Sequence, residues 1–154
     1  MRLLQTKQND MEGDCLMSRV HDQGKANIGN IYLRNQNHNT NLFIGLYTNA
    51  TQPAQASDMS GITEVSGGGY ARIALTPANW VLQGGQTPEG GSRFNQPQLV
   101  YTFSAAVGNV LGYFITTTLT GTSGLLIISD HFAAAINVGQ AGFEIRVTPS
   151  VEVR

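Results

Sequence analysis

Downstream of Asn41 the chain is divided by Gly, Pro, Asn and Ser into short runs that are apolar or alternate apolar with polar. That spacing admits a β-sandwich or barrel and leaves little room for long helices. The predicted strands are "LFIGLYT", "YARIALT", "LVYTFSA", "VLGYFITTTL", "LLIISDHF" and "GFEIRVTPSVEV". In the last, Phe143, Ile145 and Val147 alternate with Glu144, Arg146 and Thr148, which gives one dry face and one wet face. "LLIIS" is apolar on both faces, short and rich in β-branched residues, which predicts a central strand.

Ahead of these strands, residues 1–24 are polar and mixed in charge, the pattern of an arm that is mobile or ordered only against a partner. Ile28, Ile31 and Tyr32 fall at i, i+3 and i+4, which predicts a short helix near residues 25–34. The Asn-rich "NQNHNTN" then ends it. A chain of 154 residues is one domain long. The expectation is therefore all-β: a single antiparallel β-sandwich of jelly-roll type over 41–154, with an extended N-terminal arm and short helix over 1–40. Between the second and third predicted strands, "TPANWVLQGGQTPEGGSRFNQPQ" is too long for a hairpin turn and reads as a loop across or beyond one end of the sandwich. Trp80 in this loop is either a lid on the core or an exposed anchor for a partner.

Charged residues make up 12% of the chain and the net charge is −1, so no basic field exists to hold nucleic acid or an anionic membrane. Low charge with many Gly, Thr, Asn and Gln suits a surface partly covered by neighbours. Cys15 is the single cysteine, which excludes a disulfide framework and a thiolate cluster. The N-terminus lacks an apolar signal region, and no run approaches the roughly 18 apolar residues of a membrane span.

No catalytic set emerges. His21, His38 and His131 are widely spaced, without the HxH or HxxxH spacing that places two metal ligands on one face. Asp130 and His131 are adjacent, so in a strand they point to opposite faces. Asp58, Glu64, Glu89 and Asp130 are the acids from which a glycosidase pair would have to come, and nothing in the spacing sets two of them opposite each other. The run "SGGGYAR" resembles a phosphate loop only in its glycines. It lacks the Lys and Ser or Thr of a P-loop, and a strand rather than a helix follows. Gly67, Gly68 and Gly69 are read instead as a backbone bend with positive φ, and Trp80, Tyr70 and Arg72 as the candidate protein-interface residues.

The stretch from "ANIGNIYLRN" to "TEVSGGGYARIAL" resembles a group of small tailed-phage virion proteins. Leu33 and Arg34, the strand from Leu42 to Thr48, the loop at Pro53 and Ala54, and Thr63 to Arg72 carry the likeness, and "INVGQAGFEIRV" resembles the group's closing strand. The loop that follows Asn79 departs from the group. The resemblance implies a virion structural protein of head-decoration, head-fibre or tail-fibre type, with no catalytic residue and no cofactor. The expectation is a decoration or cement protein bound to the major capsid protein and to copies of itself, as a homotrimer or three-fold cluster. The alternatives are a tail-fibre or baseplate adaptor and a host-glycan-binding module.

Overall fold

The computed structural model of the protein describes residues 19–34, 41–83 and 92–153. Among the described residues, ten strands form three antiparallel sheets, accompanied by one α-helix. In chain order these are β1 (Arg19–Val20), α1 (Asp22–Arg34), β2 (Leu42–Tyr47), β3 (Ile73–Leu75), β4 (Val81–Leu82), β5 (Ser92–Asn95), β6 (Leu99–Thr102), β7 (Gly108–Thr116), β8 (Leu126–Val138), β9 (Glu144–Val147) and β10 (Ser150–Val153). The largest sheet has the order β1-β8-β7-β2-β3, and the smaller ones β10-β5-β4 and β6-β9. The protein is an all-β sandwich with one short helix.

The main core takes one face of the large sheet, through Ile44, Leu46, Tyr113, Ile115 and Ile128, together with Tyr101, Ile145 and Val147 from the β6-β9 pair. A second cluster of Tyr47, Met59, Ile62, Phe114 and Leu126 lies apart from it. The large sheet is thus covered on both faces, which is why β2 and the start of β8 read as apolar throughout. A register shift helps to divide them: Ile115 pairs with Ile128 but Thr116 pairs with Leu126. Ile127 is the extra residue, and across this bulge Leu126 and Ile128 reach different clusters.

β9 shows the alternation read from the sequence, with Ile145 and Val147 buried and Glu144 and Arg146 exposed. The Arg146–Glu144 pair, at 3.0 Å, is solvent-exposed and adds little to stability. The run predicted as one last strand is two. β9 pairs with β6, and β10 pairs with β5. The chain crosses from one sheet to the other at Pro149, whose carbonyl accepts the Gln96 N–H at 2.9 Å. Proline has no N–H to continue a ladder, so the break falls there.

The N-terminal boundary also differs from expectation. α1 begins at Asp22, three residues early, with the Asp22 carboxylate in its first turn and Arg34 in its last, both favourable to the helix dipole. β1 pairs with β8 at Arg19↔Ser129 and Val20↔Ile128, so the chain joins the sandwich from Arg19, within the stretch whose polar composition predicts an arm. Two residues in a polar stretch give no period to read. The Gly- and Pro-rich loop likewise contains β4 and β5, which form a sheet with β10. Residues 1–18, including Cys15, and His38 and Glu89 lie outside the described residues.

Tyr101 ties the two halves together: its buried hydroxyl donates to the Ile44 carbonyl at 2.8 Å, and burial pushes its phenol pKa up. Tyr101→Phe is expected to cost about 1 kcal/mol in chemical denaturation, since it leaves that carbonyl with one partner fewer at an otherwise unchanged shape.

Candidate functional site

The sequence singled out residues 63–72, and the structure shows what this segment builds. The Tyr70 N–H donates to the Gly67 carbonyl at 2.9 Å, closing a reverse turn with Gly68 and Gly69 at its centre. Gly67, Gly68 and Gly69 have φ of 79°, 57° and 74°. Two successive central residues at positive φ are strained for any residue with a Cβ. Gly68 is constrained a second way. Its carbonyl accepts the Ser104 N–H at 2.8 Å, and a Cβ at this position would lie 2.6 Å from Val107 Cγ1 and 2.8 Å from the Ala105 carbonyl oxygen. The turn is docked against the 103–107 segment.

This turn brings Glu64 and Arg72 together. Arg72 Nε donates to Glu64 Oε1 at 2.8 Å and Nη2 donates to Oε2 at 2.6 Å, a bidentate pair. Arg72 Nη1 also donates to the Thr118 carbonyl at 2.8 Å, and Nη2 to the Gly121 carbonyl at 2.8 Å. The guanidinium carbon sits 5.1 Å from the centre of the Phe114 ring. Arg72 therefore links the 63–72 segment to the loop between β7 and β8. This candidate interface residue is 6% exposed, and these hydrogen bonds run to its own chain.

Tyr70 completes the cluster. Its hydroxyl donates to Glu64 Oε1 at 2.8 Å and accepts the Leu46 N–H at 2.8 Å. Gly45 makes room for it, since a Cβ there would stand 2.6 Å from the Tyr70 hydroxyl. The ring stacks on Tyr101 with centroids 5.9 Å apart. Burial first, then the hydrogen bond and charge of Glu64, push the Tyr70 phenol pKa up, so it is neutral and a donor at any ordinary pH. The half-buried Tyr70, like Arg72, is committed to contacts within the chain.

The remaining titratable residues are dispersed. Tyr113 donates to Asp130 Oδ2 at 3.2 Å, while His131 Nδ1 lies 3.1 Å from the Tyr47 hydroxyl. The Tyr47 hydroxyl also donates to the Asp130 carbonyl at 2.9 Å, so it bridges the two residues. Asp58 caps a 3₁₀ turn, Met59–Gly61, and its hydrogen bonds from Ser60 hold its carboxyl pKa below the ordinary value. Among the described residues no three His, Cys, Asp or Glu side chains group as metal ligands.

The third candidate, Trp80, is half-buried and packs against the main core. It lines a wholly apolar cavity of about 200 Å³ with Leu42, Phe94, Ile115, Ile128 and Val151, among others. Next to it, Val81 and Leu82 of β4 are 60% and 55% exposed. Sequence reading missed this pair, although two adjacent apolar residues in a Gly- and Pro-rich loop were a signal for it. β4 is an edge strand of its sheet, and an apolar edge is a natural place for another chain to join.

Residues 19–148 match the protein family described as "Podophage GP4 fiber I protein gp80". No curated protein matches the chain.

Proposed function

Since the chain belongs to the family of podophage GP4 fiber I protein gp80, and is thereby a phage virion protein of fibre type, we propose that it is a non-catalytic structural subunit of the fibre itself. The observation that carries this reading is the extent of the match, which takes in both faces of the large sheet and the 63–72 segment. Its polar clusters support a structural role, because Arg72, Glu64 and Tyr70 spend their hydrogen bonds within the chain. In this reading the contacts to copies of itself and to other virion proteins come from the apolar edge at Val81 and Leu82. Trp80, half-buried against the core, makes a poor platform for a host glycan.

The finer alternative is a cement protein on the outer shell, bound to the major capsid protein, which the low charge of the chain would also suit. Copy number separates the two. Quantitative gel analysis of purified virions is expected to give roughly a dozen to a few dozen copies, as a fibre with closed symmetry requires. Copies on the order of hundreds, scaling with the capsid protein, would instead establish the cement role.

A further inference from the structure

The N-terminal unit of β1 and α1 is fastened to the sandwich through His21, which joins the two elements and is 0% exposed. Its backbone N–H donates to the Ile127 carbonyl at 2.9 Å. Ring Nδ1 lies 3.1 Å from the Gln55 carbonyl and Nε2 lies 2.8 Å from Ser129 Oγ. A carbonyl only accepts, so Nδ1 carries the proton, and in the neutral ring Nε2 accepts from the Ser129 hydroxyl. The neutral tautomer is fully satisfied there.

Two charged neighbours face the ring. Arg19 on β1 donates to the Pro53 carbonyl at 2.6 Å, and Asp22 on α1 accepts from the Gln55 side chain at 2.7 Å. From β8 the ring meets Ser129, while Asp130 is engaged by Tyr113. The same unit is fixed by the Leu126 N–H donating to Gln23 Oε1 at 2.8 Å. It also contributes Val20 and Ile28 to the lining of the apolar pocket, Val20 beside its ladder partner Ile128.

We propose that His21 is an acid-sensitive latch: a second proton on its ring loosens β1 and α1 from β8 and the 53–55 segment and withdraws Val20 and Ile28 from the apolar pocket. Desolvation by burial is the largest influence on the ring and lowers its pKa, helped by the Arg19 charge and opposed by the Gln55 carbonyl and Asp22. The folded state therefore prefers the neutral ring. The latch is fully closed above the ordinary imidazole range and weakens as pH falls through that range toward the lowered folded value.

Hydrogen exchange tests this in the full chain, comparing protection of 22–34 and 126–129 at about pH 7.5 and about pH 5 after correction for intrinsic rates. The wild type is expected to open more at the lower pH, by at most about 30-fold, while the β2–β7 ladder stays protected. His21→Gln keeps one donor and one acceptor but gains no proton, so its protection should not depend on pH. His131→Gln should keep the wild-type response. Equal protection of the wild type at both pH values, or an undiminished acid response in His21→Gln, would overturn the latch. Should His21→Gln not fold, the ring's own NMR titration in the wild type decides: opening that tracks it supports the latch, and opening at a different pH refutes it.

Discussion

Arg72→Ala is expected to lower stability by about 3 kcal/mol, the low end of what breaking a buried ion pair costs. Three losses combine in that figure. The Glu64 carboxylate keeps only the Tyr70 hydroxyl of its cluster partners, the carbonyls of Thr118 and Gly121 lose their donors, and Phe114 loses the cation over its ring. The Glu64 side chain is 28% exposed, so water recovers part of its solvation, and this places the cost at the low end. Arg72→Lys is expected to recover only part of the loss, because an ammonium cannot make the fork to both Glu64 oxygens and also span Thr118 to Gly121. Urea denaturation measures both. In a double-mutant cycle, Glu64→Ala on top of Arg72→Ala should cost much less than Glu64→Ala alone, since the two removals share one interaction.

The second large effect is expected at the glycine turn, where neighbouring positions should behave differently. Gly67→Ala meets no atom within 4 Å and carries only the strain of φ near 79°, about 1 kcal/mol. Gly68→Ala adds to a similar strain the collision with Val107 and the Ala105 carbonyl, for about 3 kcal/mol in total. Thermal or urea unfolding of the two variants measures the difference. Equal losses would mean that the docking of the turn on residues 103–107 contributes nothing.

The two effects share a cause. The turn places an acid and a base, eight residues apart, within bidentate reach, and Arg72 then holds the loop beyond β7. A Gly-rich stretch with a polar approach suggests a cradle for an anion; here the Tyr70 N–H is spent closing the turn and the nearby cation is already paired inside the chain.

Where side-chain period decided the structure, the sequence was legible. Ile145 and Val147 alternate because β9 has one wet face, and β2 is apolar throughout because the large sheet is covered on both sides. Where pairing partners decided it, periodicity failed. β4 and β5 lie in a loop of low apolar content; β5 exists as a strand because β10 offers it a ladder, β4 because β5 does, and β1 because β8 does. The role of Arg72 was missed for a related reason. Residues eight apart lie far from each other along any helix or strand, and only the turn between them makes them neighbours. An acid and a base flanking three glycines was the available signal. His21 gave none, since a lone histidine in a polar stretch carries no mark of burial.

In the proposed function the 63–72 segment serves internal construction, and the chain's role in the particle rests on contacts made elsewhere, within a fibre. A reconstruction of the intact virion, without imposed icosahedral symmetry, tests this most directly. The predicted result is density for the β-sandwich domain inside a fibre, with β4 at a subunit boundary and Arg72 enclosed within one chain. Density for the domain spread across the outer face of the shell, with the 63–72 segment against the capsid protein, would contradict it.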